Sequence, residues 1–330
     1  MTPPDRDTVQ RPRRHRREPR TARSTGTVAR IAVVAVAAIA VAVVKLSGGH
    51  SDGPPRSPAS TAPVRFLGVF EPDSPGSYAS VDEFGRAVGR QPNLVLYYRG
   101  WGQPFDRGFA ETAASRGATP FVQLNPTHVP LARIARGAYD AYLAPFARQV
   151  AAFGHPVVIG FGHEMNGYWY SWGYTHASPA NFIAAWRHIV TLFRRHGAAN
   201  VRWLWDVNSK SSRTGPVHDW WPGARYVTWV GVNGYYYLPG QNFANVFGPV
   251  IADIRRFTDA PLLIGETAVG PLAGQPQGIR DLFAGARAHH VLGLVWFDRT
   301  SHGGVYKQDW RLEGNPAALA AFRNALHGSS

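Results

Sequence analysis

From Val64 onward the sequence repeats one pattern eight times: a short run of apolar and β-branched residues, followed in most cases by a segment with helical spacing. The runs are Val64–Phe70, Asn93–Tyr98, Thr119–Leu124, one opening at Val157, Val201–Val207, Val227–Val232, one opening at Pro261, and Leu292–Trp296. Helices are expected at about Phe105–Arg116, Tyr139–Phe153, Ser178-Pro179 to Gly197, Phe243–Phe257, Ile279–His289 and Pro316–Leu326. Ser178-Pro179 is a start signal, because the serine can cap the first turn and proline suits a position whose N–H has no helical partner. Unbroken apolar runs suit strands buried on both faces, and their alternation with helices predicts an α/β fold with a parallel sheet. Eight repeats in about 265 residues fit a single (β/α)₈ barrel, typically about 250 residues long. The spacing of the runs varies, so no fixed period of 20–50 residues suggests a solenoid.

In such a barrel the C-terminal strand ends form the active face. They collect Glu71, Arg99, Trp101, Asn125, Glu164, Asn208, Tyr235, Glu266, Trp296 and Asp298. The fourth run ends in Gly162-His-Glu-Met-Asn-Gly-Tyr-Trp-Tyr-Ser-Trp-Gly173, and the seventh ends in Ile264-Gly-Glu-Thr-Ala268. Each delivers one glutamate, about a hundred residues apart. A lone Glu after a strand is as easily structural as functional. Two on one barrel face supply what retaining glycoside cleavage requires, carboxyls about 5–5.5 Å apart acting as acid/base and nucleophile.

The first of these motifs resembles the acid/base motif of glycoside hydrolase family 26, a β-mannanase family of retaining barrels in which His-Glu is followed by Asn/Gly and a Trp-rich loop. Ile264-Gly-Glu-Thr-Ala268 resembles that family's nucleophile strand, and the likeness covers most of Val64 to His327. It implies Glu164 as general acid/base, Glu266 as nucleophile and Tyr235 as the residue that orients the nucleophile. The tyrosine lies in Gly231-Val-Asn-Gly-Tyr235, with Asn233 where the family motif carries Asp. The resemblance further places His163 in the cleavage subsite, Trp296 as its floor, and Trp169 and Trp172 as stacking platforms beside the acid. Arg99 and Trp101 are candidates for more distant subsites. Asn208 joins them as a strand-end candidate, with substrate contact and bracing of a neighbour both open. The implied substrate is a polysaccharide, β-1,4-mannan first, with mixed-linkage β-glucan, β-1,3-xylan or a cell-surface exopolysaccharide as alternatives. Two carboxylates and water suffice for that chemistry, so no metal or organic cofactor is expected. A non-catalytic glycan-binding barrel is the competing class, and a structural envelope protein is another.

Composition narrows the field further. There are no cysteines, which excludes disulfides, thiolate metal sites and a Cys nucleophile. His-Glu-Met-Asn-Gly is not the His-Glu-x-x-His of zinc proteases, and no Gly-x-Ser-x-Gly or phosphate-binding loop occurs where a strand meets a helix. His289-His290 read as charge at a helix end. The net charge of +14 is partly local, since residues 1–30 hold nine Arg against Asp5, Asp7 and Glu18. No folded or aromatic pattern accompanies that charge, so residues 1–29 read as a disordered cytoplasmic tail and no nucleic-acid partner is expected. Ile31–Val44 is an uninterrupted apolar run of 14 residues. With its flanks, 30–46 reads as a transmembrane signal anchor, against a rival reading as a cleaved signal peptide and a secreted product. Residues 47–63 are a Gly/Ser/Pro linker. The Arg excess keeps the N-terminus cytoplasmic and the barrel outside, on a single-pass plasma-membrane protein expected to be a monomer.

Overall fold

A computed structural model describes residues 64–270, 274–299 and 308–328. The expected tail, membrane anchor and linker fall on residues 1–63, outside the described residues. Among the described residues, no helix is long and apolar enough to cross a membrane.

Eight parallel strands close into a barrel in sequence order. They are β1 (Phe66–Phe70), β2 (Leu94–Gly100), β3 (Thr119–Asn125), β4 (Val157–Phe161), β5 (Val201–Asn208), β6 (Trp229–Asn233), β7 (Leu262–Thr267) and β8 (Gly293–Phe297). The expected (β/α)₈ architecture is therefore present, with α1 (Ala79–Val88), α2 (Arg107–Ser115), α3 (Leu131–Ala135), α4 (Asp140–Phe153), α5 (Pro179–Arg195), α6 (Phe243–Val246), α7 (Gly248–Ile254), α8 (Gln275–Ala288) and α9 (Pro316–Leu326) around and between the strands. The Ser178 hydroxyl caps α5 by accepting the Asn181 N–H at 3.2 Å, with Pro179 in the first turn. The helix expected over 243–257 is two pieces. Pro249 has no N–H to continue an existing helix and suits the start of a new one, so the chain breaks at Phe247 and restarts.

Side-chain alternation along the strands divides the core into two layers. Phe70, Leu94, Leu96, Phe121, Val158, Leu204, Leu263 and Val295 fill the barrel interior. Their neighbours Val95, Tyr97, Val122, Ile159, Trp205, Ile264 and Trp296 face outward, into the layer shared with the helices. Removing each such side chain from water contributes about 1.5–3 kcal/mol. One residue of slip exchanges the two faces, and this parity decides which strand-end residues reach the active face.

At one corner the barrel buries a pair of acids. Glu71 follows β1 and Asp298 follows β8, with the Asp298 N–H donating to the Phe70 carbonyl at 3.0 Å. Burial, then the neighbouring Asp298, pushes Glu71 up to about 9; burial and Glu313 push Asp298 up to about 7. Both are raised, so the folded chain holds protons that the unfolded chain has released. The stability linked to Glu71 is fully present below its ordinary value of 4.5 and is lost as the pH rises through about 9. Glu71→Gln should leave the melting temperature unchanged at pH 4 and raise it at pH 9, as measured by thermal denaturation across that range.

Candidate active site

The two glutamates reach the cleft by different backbone devices. After β4 the chain turns through Gly162 at φ +56° and Glu164 at φ +54°. The left-handed region costs a residue with a side chain about 1–2 kcal/mol. The Glu164 N–H donates to the Asp206 carbonyl of β5 at 2.7 Å, and its own carbonyl accepts from Gly167 at 2.8 Å, which fixes that conformation. On β7 the register shifts: Val232 pairs with Ile264, but Asn233 pairs with Glu266. Gly265 is the extra residue of this bulge, and the β7–β8 pairing slips across the same stretch. Strict alternation from Leu263 would turn Glu266 outward. The bulge resets the parity and turns it in.

Glu266 is buried and bound by two phenols. Tyr235 donates to its Oε2 at 2.7 Å, and Tyr98 donates to its Oε1. Burial and the nearby Glu164 charge push it up to about 8, against the pull of the two hydroxyls. Glu164 is also buried. Its Oε2 accepts from the Trp169 indole N–H at 2.7 Å and its Oε1 from Asn208 Nδ2 at 2.6 Å. Burial raises it, and these donors pull it back. Burial thus raises both carboxyls, and the Glu164 charge adds to the rise of Glu266, so the site favours holding a proton above the usual carboxylate range.

His163 lies 3.9 Å from Glu266 Oε1 through Nε2. Its Nδ1 donates to Asn125 Oδ1 at 3.0 Å, and its Nε2 accepts from the Tyr170 hydroxyl at 3.1 Å. Burial pushes it down to about 3, so the ring is neutral. Asn166 ties the loop after β4 to β5: its Oδ1 accepts the Asn208 N–H at 2.8 Å and its Nδ2 donates to the Asn208 carbonyl at 2.9 Å. These groups line a cleft of about 910 Å³, walled by Trp169, Tyr170, Lys210, Arg213, Phe297 and Trp310.

Of the residues singled out from the sequence, Glu164, Glu266, Tyr235, His163, Trp169, Asn208 and Asn125 meet in this cleft. Four others are placed elsewhere, and parity or stacking explains each. Arg99 shares the outward face of β2 with Tyr97 and binds Asp106, whose other oxygen caps α2 through the Phe109 N–H. Trp101 packs against Tyr139 and Tyr142 of the outer layer. Trp172 is buried, with its ring stacked 4.3 Å from Tyr170 and its indole N–H donating to the His163 carbonyl. Trp296 points outward to Phe322 of α9 and donates to the Trp310 carbonyl at 3.0 Å. The strand-end acids Glu71 and Asp298 form the corner pair.

Tyr98, Tyr170, Phe297 and Trp310 line the cleft instead. Tyr98 and Phe297 each sit one position from a residue chosen in the sequence, on the opposite face of the same strand. Trp310 stacks 4.7 Å from Tyr235 and stiffens the phenol that holds Glu266. A hydrogen bond to a charged group contributes about 1.5–3 kcal/mol, so Tyr98→Phe and Tyr235→Phe should each lower kcat about 10–100-fold with little change in KM. Steady-state kinetics of the two variants check this, and a loss confined to Tyr235→Phe would remove Tyr98 from the site.

A closed parallel barrel with two buried glutamates at the C-terminal ends of β4 and β7 defines a barrel of the glycoside hydrolase class. Residues 134–268 match the family model Glycosyl hydrolase family 26. Endoglucanase H of Acetivibrio thermocellus is 29% identical over 274 residues, covering 77% of this chain and 29% of that protein. A beta-1,3-xylanase of a Vibrio species is 26% identical over 204 residues, covering 57% of this chain and 42% of that protein. The chain thus spans less than half the length of these curated relatives. Among solved structures, a Bacillus subtilis mannanase superposes with a TM-score of 0.60 at 18% identity, over 80% of this chain and 86% of that one, a likeness of fold.

Proposed function

We propose that this chain is a membrane-anchored endo-glycosidase that hydrolyses a β-linked polysaccharide with retention of configuration, β-1,4-mannan being the first substrate to test. The observation that carries the reading is the pair of buried glutamates facing one cleft, one bound by two phenol hydroxyls and the other by an indole and an amide. Hydroxyls that donate to both oxygens of Glu266 favour its anion, the form a nucleophile needs. Its carboxylate attacks the anomeric carbon as the bond to the leaving oxygen breaks, and Glu164 gives its proton to that oxygen. Water then attacks the glycosyl ester, Glu164 takes a proton from it, and Glu266 leaves as the carboxylate. Neutral His163 serves as a hydrogen-bonding wall for the sugar. Trp169, Tyr170, Phe297 and Trp310 supply apolar surface for sugar faces.

Glucan and xylan belong beside mannan in the first trial, because the curated relatives are named for an endoglucanase and a β-1,3-xylanase. The test is a panel of mannan, glucomannan, mixed-linkage glucan, xylans and host surface glycans, with reducing ends counted and Glu266→Ala as the blank. Release from one polymer, absent in the variant, supports the reading. Binding to a polymer with no release from any favours the glycan-binding barrel. The basic run followed by the apolar segment 31–44 supports an anchored protein with its N-terminus in the cytoplasm and the barrel outside. Protease treatment of intact cells tests that placement: the barrel should be removed and the first thirty residues protected.

A further inference from the structure

Below the two glutamates lies a third buried carboxyl that the proposed reaction does not use. Asp206, on β5, is 1% exposed. Its Oδ2 accepts from Gln123 Nε2 of β3 at 2.5 Å, while its Oδ1 has no hydrogen-bond partner. Across from it Asn233 of β6 is fully buried, and both its Oδ1 and its Nδ2 lack partners. Glycines clear the space that these groups share. A Cβ at Gly265 would lie 2.6 Å from Asp206 Oδ1 and 2.7 Å from Asn233 Oδ1, and one at Gly231 would lie 2.2 Å from Asp206 Oδ1. The two unpartnered oxygens therefore border the same small volume.

Two buried oxygens that both accept leave each other unsatisfied, at a cost of about 1–3 kcal/mol each. A carboxylate can only accept, whereas a carboxylic acid has one O–H to donate. We infer that Asp206 is held as the neutral acid and that it donates from Oδ1 to the Asn233 carboxamide oxygen, a positioning residue that turns the Asn233 amide toward Glu164. The resulting chain runs from Gln123 through Asp206 and Asn233 to the acid/base, and joins β3, β5 and β6 beneath the cleft. Asn233 lies near enough to Glu164 to pull its carboxyl back toward the charged form, and its like pull on Asp206 is outweighed by burial and the two glutamates. The ionisable groups that face Asp206 are Glu266 on β7, Glu164 after β4 and Tyr170 in the following loop, and none is a cation. Burial, reinforced by Glu266 and Glu164, raises Asp206 well above the usual carboxylate range. A neutral Asp206 also spares the glutamate pair a third negative charge.

Asn is the isostere of the neutral acid: it can accept from Gln123 with its oxygen and donate to Asn233 with its amide. The experiment compares the wild type with Asp206→Asn. Infrared difference spectra at pH 7 should contain the C=O stretch of a protonated carboxylic acid that disappears in Asp206→Asn. This readout needs no substrate, so it stands even if the hydrolase reading fails. Given a substrate, Asp206→Asn should keep kcat within about threefold and leave both limbs of the pH profile in place. Asp206→Ala and Asn233→Ala should each lower kcat about tenfold, the worth of one hydrogen bond, and the double variant should lose no more than either. Absence of the infrared band, failure of Asp206→Asn to fold, a downward shift of its pH profile, or additive losses in the double variant would each overturn the inference.

Discussion

Glu266→Ala is expected to abolish hydrolysis, with a loss of at least about 10⁴-fold in kcat, on the scale seen when a covalent enzyme loses its nucleophile. The fold should survive. Glu266 sits at the open end of β7, and its removal relieves an unfavourable burial: desolvation and the Glu164 charge both disfavour its carboxylate, and the two tyrosines only partly offset them. Azide should then enter the space vacated by the carboxylate and attack the anomeric carbon of an activated β-glycoside. It approaches from the face that Glu266 used, so the product should be the α-glycosyl azide, made without a covalent enzyme intermediate. Product configuration by NMR decides the assignment. A β-azide from this variant would mean that the two glutamates have exchanged roles, and unchanged hydrolysis would remove Glu266 from the mechanism.

The barrel was legible because a parallel strand covered on both faces has no polar side, so each of the eight strands appears as an unbroken apolar run. The same property hid part of the site. In β2 the residues Tyr97, Tyr98 and Arg99 all suit a strand end, and an apolar run gives no sign of which face is inside. The sequence points to Arg99, and the interior residue is Tyr98, bonded to Glu266. In β8 it points to Trp296 where Phe297 faces the cleft, and in the loop after β4 to Trp172 where Tyr170 does. The interior layer supplies the missing phase, since Leu94 and Leu96 on β2 fix Tyr98 and Val295 on β8 fixes Phe297. Glu266 is the converse case: simple alternation would turn it outward, and the bulge at Gly265 corrects it. Trp310 had no local signal. It lies between β8 and α9 in the chain, and only the closed barrel brings it onto Tyr235.

Glu164→Ala should behave differently from Glu266→Ala, and the difference follows from what each carboxyl does. General acid assistance contributes about 10²–10⁴-fold, and it matters most when the leaving oxygen is poor. On a polysaccharide the variant should lose that full factor. On an aryl glycoside with a leaving phenol that departs without a proton, the first step should proceed at near wild-type rate. The second step, water without its base, becomes slow, so phenol should appear as a burst followed by a low steady rate. Azide needs no base. It should remove the burst limit and give the β-glycosyl azide, the opposite configuration to that expected from Glu266→Ala. The pH profile should change in a matching way. The alkaline limb, set by the acid, should vanish, and the acidic limb should move down, because the Glu164 charge that helps raise Glu266 is gone. An alkaline limb that persists would assign the proton donor to another group. Tyr170 would then be examined first, since its hydroxyl bonds His163 and its ring lines the cleft.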